Sequence, residues 1–216
     1  DVYKRQTLVS VPLNSLVVLK DGPIKTISDL KGKKVGFSVG GFEEALLSGM
    51  LQKYNLKMSD VDLVNINFSL SPSLIAKKVD AVIGAFRNFE LNQMDIVNHP
   101  GRAFYPEEHG VPTYEELIYI ANQKNKNNPL FDKFFSAIQK ATLTIINDPV
   151  STWKDFSSYR KGLDDELNKR AYKDTISRFA LRPQAHDLKT YTNFSKFLEK
   201  KGIIKKITKV ETFAKP

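Results

Sequence analysis

The stretch AFRNFELNQ, residues 85–93, has the side chains best suited to hold a small flat ligand. It follows the apolar run VDAVIG directly, and in open α/β sheets ligands sit outside the carboxyl ends of the strands. If the chain stays extended, Phe86, Asn88 and Glu90 fall on alternate positions and share one face. An aromatic ring can stack on a polar heterocycle while an amide and a carboxylate hydrogen-bond its edge. The competing reading is an ordinary strand end with exposed polar residues and one core phenylalanine.

A second candidate is KVGFSVGGFEEALL, residues 34–47, where glycines separate a strand-like run from a helix-like one. A P-loop places Lys and Ser or Thr directly after its last glycine, and here Phe42 and Glu43 follow Gly41. A dinucleotide fingerprint needs three glycines at another spacing than Gly36, Gly40 and Gly41. Glu43 and Glu44 repel phosphate but suit the positive end of a helix dipole. Two readings remain for the loop. One is a neutral ligand held by backbone N–H groups and Ser38; the other is a tight turn between strand and helix.

Other chemistries find little support. His99, His109 and His186 share no metal-ligand spacing, and each sits beside loop-forming residues. No GxSxG occurs, and LSPSL lacks the glycines of a nucleophile elbow. The absence of cysteine removes disulfides, thiolate nucleophiles and iron–sulfur or zinc–thiolate sites. The formal charge is +9, but the lysines are dispersed and no nucleic-acid motif accompanies them, which favours a solvated basic surface. No run approaches the roughly 18 apolar residues of a membrane helix. The first six residues, DVYKRQ, resemble a translated sequencing adapter and are set aside as an artefactual start.

The elements that must position these residues follow one logic. KKVGF (33–37), VDLVNINF (61–68) and VDAVIGAF (79–86) read as short strands. Between the first two, FEEALLSGMLQKYNL has a helical stripe of Ala45, Leu46, Gly49, Met50 and Lys53. Between the second and third, SPSLIAKK holds about two helical turns, with Ser71 as cap and Pro72 in the first helical position. Alternating strands and helices predict a parallel sheet. The segment TISDLKG predicts a capped short helix and a glycine stop. SLVVLKDG (15–22) and ELIYIANQ (116–123) bracket this unit as two extended segments, the pattern of a two-strand hinge. From Pro129 onward the pattern is helical, and those helices need a sheet to pack on.

The runs SDLKGKKVGFSVGGFEEALL, LVNINFSLSPSLI, VDAVIGAFRNFELNQM, GRAFYPEEHGVPTYEELI and SRFALRPQAH resemble substrate-binding proteins of ABC transporters for thiamine pyrimidine precursors. These are the formylaminopyrimidine-binding proteins, similar in fold to fungal hydroxymethylpyrimidine phosphate synthases. The resemblance implies an α/β periplasmic-binding-protein fold of the second type, with two lobes on a two-strand hinge and the first lobe incomplete. Residues 1–20 would be the artefactual start plus a remnant of the first lobe and hinge. Residues 21–118 would form the second lobe, and 119–216 the return hinge strand and C-terminal helices of the first.

By the same resemblance Phe86 takes the ligand-stacking position and Glu90 holds the pyrimidine edge; Asn88, Ser38 and Gly40 join them as ligand-binding candidates mainly by their position. An aminopyrimidine offers an N–H donor beside a ring nitrogen; a carboxyl group accepts from the first and, when protonated, donates to the second. The implied partners are a small aminopyrimidine and a membrane permease, with no nucleic acid, cofactor, metal or catalytic residue. The implied location is the periplasm or a lipid anchor at the cell surface. The related fungal enzymes use histidine and a cysteine-rich iron site, so the lack of cysteine favours binding over synthesis.

Overall fold

The valine- and isoleucine-rich runs assemble into a mixed five-stranded sheet in the computed structural model, which describes residues 2–182 and 187–213. Its strands are β2 (Asn14–Leu19), β3 (Lys34–Phe37), β4 (Asp62–Asn65), β5 (Ala81–Phe86) and β6 (Gly101–Phe104). They lie in the order β4-β3-β5-β2-β6. β3 runs parallel to both β4 and β5, and β2 is antiparallel to β5 and β6. The crossover helices are α1 (Phe42–Lys53) from β3 to β4 and α2 (Leu70–Ile75) from β4 to β5; α3 (Glu90–Ile96) leads from β5 to β6.

A core of Val17, Val79, Val82, Ala85, Leu70, Leu74 and Met94 joins β2 and β5 to α2 and α3. Ala85 reaches that face because the β2–β5 register slips. Ser15 pairs with Ala85 and Leu16 with Ile83, leaving Gly84 as an extra residue. Such a bulge turns the side chains beyond it to the other face. Gly84 has φ +103°, a left-handed conformation that glycine tolerates.

Several local expectations are corrected here. Ala45, Leu46, Gly49 and Met50 of α1 are buried, but so are Leu47 and Leu51; Lys53 is exposed and donates to the Glu108 carbonyl. α2 begins at Leu70, with Ser69 rather than Ser71 at its cap, so Pro72 sits in the helix's first turn and Ser71 is buried. SLVVL is no hinge segment. It is β2, in the middle of the sheet, and Asn14–Val18 are buried between two neighbouring strands. The short strand β6, masked in sequence by surrounding turn residues, covers its outer edge.

Backbone packing divides the chain into two units. One holds the five-stranded sheet and draws on Leu13–Thr113 and Phe194–Lys205. The other draws on the chain up to Pro12, on Tyr114–Asn193 and on the segment from Lys206. In this second unit β1 (Val2–Val9) pairs antiparallel with β7 (Leu117–Asn122). Most of the residues set aside as an artefact therefore form backbone ladder, Val2 opposite Asn122 and Lys4 opposite Ile120. Helices α4 (Leu130–Asn147), α5 (Pro149–Tyr159) and α6 (Glu166–Ile176) follow. Asp148 and Asp165 cap the last two by accepting from the N–H groups of Ser151 and Asn168. Trp153, Phe156 and Tyr172 cluster between α5 and α6. Glu115 accepts hydrogen bonds from Thr7 and Tyr191, and burial holds the Tyr191 hydroxyl well above its usual range. α7 (Leu188–Lys200) contributes to both units, and α8 (Val210–Phe213) ends the described chain.

Candidate functional site

Strand order decides where the sheet can open. From β3 the chain crosses to β4 on one side, and from β4 it crosses back over β3 to β5 on the other. The loops leaving β3 and β5 therefore diverge at neighbouring carboxyl ends, the switch point at which open α/β sheets bind ligands. Both loops carry sequence candidates: Ser38 and Gly40 after β3, and Phe86, Asn88 and Glu90 at and beyond the end of β5.

The β5 loop does not stay extended. Phe86 ends the strand, residues 87–89 turn, and Glu90 is the first residue of α3. The Glu90 carboxylate reaches back to accept the Phe86 N–H at 2.6 Å. Alternation is thus replaced by a capped turn, which brings Phe86 and Glu90 together and buries Asn88 to 8% exposure. Burial pushes the Glu90 carboxyl above its usual value, with the Phe86 N–H opposing it only in part. The turn is anchored by Arg87. Its guanidinium forms two hydrogen bonds to Glu107 at 2.6 and 3.0 Å, donates to the carbonyls of Leu13 and Asn14, and lies 3.9 Å over the Tyr105 ring.

The β3 loop holds its own anions. Glu43 is 5% exposed, and its Oε2 accepts from the N–H groups of Ser38 (2.7 Å) and Val39 (3.1 Å). Glu44 accepts from Gly41 at 2.6 Å. The two carboxylates therefore do more than complement the helix dipole: they fill the amide donors that an external phosphate would need. Glu43 also ties the two loops together. A Cβ at Gly84 would lie 2.4 Å from its Oε1, so β5 approaches the carboxylate through bare backbone. The Gly84 N–H is in turn held by Asn14 Oδ1 at 3.1 Å. Ser38 Oγ accepts from the N–H of Phe68, in the loop after β4, at 3.1 Å. Gly40 is exposed, and a side chain there would meet open space.

Sequence reasoning missed Glu43 as a structural ligand of its own loop, and missed Asn14, Gly84 and Phe68 altogether. The glycine inside VIGAF was the available signal, because an isolated glycine in a strand pattern marks a bulge or a close approach.

A cavity of about 520 Å³ lies at the opposite edge of the same sheet, lined by Leu19, Asp21, Lys77, Asp80, Asn98 and His99 among others. It contains none of the sequence candidates, and the convergent polar groups are at the carboxyl edge. His109 bonds through Nδ1 to the Tyr54 hydroxyl at 2.8 Å, a packing role, and His186 lies outside the described residues. Among the described residues no group of His, Asp and Glu is placed to hold a metal ion, and no helix is long and apolar enough to cross a membrane.

This fold is that of periplasmic binding proteins. The alkanesulfonate-binding protein SsuA of Xanthomonas axonopodis pv. citri, solved with MOPS bound, superposes with a TM-score of 0.72 at 14% identity. The match covers 99% of this chain and 73% of that one. The chain belongs to the NMT1/THI5-like family, whose model matches residues 2–152. A Haemophilus influenzae protein named for thiamine biosynthesis is 46% identical over 209 residues, covering 96% of this chain and 67% of the relative. The 4-amino-5-hydroxymethyl-2-methylpyrimidine phosphate synthase of Schizosaccharomyces pombe is 26% identical over 92% of this chain and 60% of its own. The formylaminopyrimidine-binding protein of Halalkalibacterium halodurans is 27% identical over 66% and 44% respectively. The chain thus spans between about two-fifths and two-thirds of the length of these relatives.

Proposed function

We propose that this chain belongs to a receptor that captures a neutral aminopyrimidine thiamine precursor, formylaminopyrimidine or 4-amino-5-hydroxymethyl-2-methylpyrimidine, and delivers it to a membrane permease. In this reading the protein works outside the cytoplasm, free or lipid-anchored, and needs no cofactor. The unit built on Leu13–Thr113 is its second lobe, and the other unit belongs to the first.

The observation that carries the reading is the pairing of Phe86 with Glu90 at the switch point. Burial favours the neutral form of the Glu90 carboxyl. In the neutral form that burial favours, a carboxyl can accept from an exocyclic amine and donate to the adjacent ring nitrogen. Phe86 offers the apolar face, and Asn88, Ser38 and Gly40 are the proposed neighbours. The filled amides of the β3 loop favour an uncharged ligand over a phosphate ester. The relatives named for thiamine biosynthesis and for formylaminopyrimidine binding support the pyrimidine class.

The test is calorimetric titration of the full-length protein with each aminopyrimidine. Binding should weaken at least tenfold in Glu90→Ala, about 1.4 kcal/mol. Unchanged affinity would remove Glu90 from the site. A second reading, a pyrimidine phosphate synthase, is favoured by the 26% identity to the S. pombe enzyme. It requires product to appear in a turnover assay, and a chain without cysteine cannot supply a thiolate-rich metal centre.

A further inference from the structure

The loop from β4 to α2 holds a side chain in an unfavourable setting twice over. Asn67 and Phe68 are consecutive residues with positive φ, +46° and +63°. Asparagine tolerates that conformation, but for a bulky residue it is a true outlier. The Phe68 ring is also 76% exposed, the second most exposed large hydrophobic side chain among the described residues. An ordinary turn would carry glycine or a polar residue here.

The backbone is nonetheless held firmly in this shape. Asn65 Oδ1 accepts from the Asn67 N–H at 3.0 Å, Ser69 N–H donates to the Ile66 carbonyl at 2.9 Å, and Ser38 Oγ accepts from Phe68 itself. Strained residues that neighbouring structure over-determines concentrate at ligand clamps. The loop lies at the same carboxyl edge as Ser38 and Phe86, because β4, β3 and β5 are parallel neighbours. With strands about 4.8 Å apart, the ends of β4 and β5 stand roughly 10 Å from each other across β3. A flat ring stacked between two aromatic faces needs about 7 Å.

We infer that Phe68 is a second aromatic face of the binding site, bracketing the ligand opposite Phe86 over the end of β3, with Ser38 as the positioning residue that presents it. The inference rests on the pyrimidine reading above and adds to it a named contact from a third loop. An exposed, strained phenylalanine then has a purpose: its ring is left in water until the ligand covers it.

The test uses the full-length protein and 4-amino-5-hydroxymethyl-2-methylpyrimidine, with affinity by calorimetry and stability by thermal melting. Phe68→Gly removes the ring and relieves the backbone, so affinity should fall at least tenfold while the melting midpoint stays equal or rises. Phe68→Trp should keep affinity within about threefold, and Asn67→Gly should leave it unchanged. Unchanged affinity in Phe68→Gly, equal losses in Phe68→Gly and Phe68→Trp, or a melting midpoint that falls along with affinity in Phe68→Gly would each overturn the inference alone. Absence of pyrimidine binding in the unsubstituted protein would instead overturn the functional reading, and this inference with it.

Discussion

Gly84 and Glu43 show how two residues organise the site before any ligand arrives. The glycine leaves the room that the buried carboxylate fills, and the carboxylate satisfies two amides of the neighbouring loop. Gly84→Ala would place a methyl group against Glu43 at φ +103°. We expect it to cost about 2–4 kcal/mol of stability, read by urea denaturation; a loss under about 0.5 kcal/mol would contradict the close approach. Glu90 makes a different prediction. Its proton is bound more tightly in the folded state, because burial raises the carboxyl above its ordinary 4.5. The associated stability is fully present below that value and is lost as the pH rises through the folded one. Glu90→Gln should therefore gain on the parent as the pH is raised from about 4 to about 7. Denaturation curves whose difference is constant over that range would contradict a desolvated carboxyl.

At the scale of elements, the turn between β5 and α3 depends on Arg87. Five contacts converge on one guanidinium, including both oxygens of Glu107 and the ring of Tyr105. Arg87→Ala strands Glu107 and two carbonyls, and should cost about 3–5 kcal/mol. Adding Glu107→Ala should cost less than the sum of the two single changes, the mark of a shared interaction. The three parallel strands and α1 were legible in sequence because valine-rich runs and three-and-four spacing report burial directly. β2 was misread as a hinge because an apolar run looks the same at a sheet centre as in a linker strand. The turn at residues 87–89 was illegible for another reason. It is fixed by Glu90 accepting from the Phe86 backbone N–H and by Arg87 donating to Glu107, and hydrogen bonds made by single side chains leave no periodic trace. Phe86, Asn88 and Glu90 stood out by residue type and by their place after an apolar strand, and Phe68 did not, because it read as the last residue of the strand-like run VDLVNINF.

At the scale of the whole molecule, the two units differ in how completely they cover apolar surface. In the five-stranded sheet β2 and β5 are almost wholly buried, whereas β7 and α4 leave Leu117, Ile118, Ile120, Leu130, Phe134 and Leu143 exposed. Exposed apolar side chains on two neighbouring elements favour contact with other apolar molecules. The 216-residue chain should bind a hydrophobic dye, and Ile120→Lys should lower the fluorescence by a clear fraction without changing the melting midpoint by more than a few degrees. Dye fluorescence unaffected by the substitution would place the sticky surface elsewhere. The charge of +9 has its own consequence at this scale. Dispersed lysines give long-range attraction to anions, while carboxylates fill the amides of Ser38, Val39 and Gly41 that could seat one. Weak, steeply salt-dependent anion binding is expected, with no saturable component.

The central claim is that the site takes a neutral aminopyrimidine on Phe86 and Glu90 and refuses a phosphate because Glu43 and Glu44 already occupy the loop amides. It is tested most directly by titrating the full-length protein, side by side, with 4-amino-5-hydroxymethyl-2-methylpyrimidine and with its phosphate ester. The neutral compound should bind at least tenfold more tightly, a difference of about 1.4 kcal/mol. Equal or tighter binding of the ester would contradict the account.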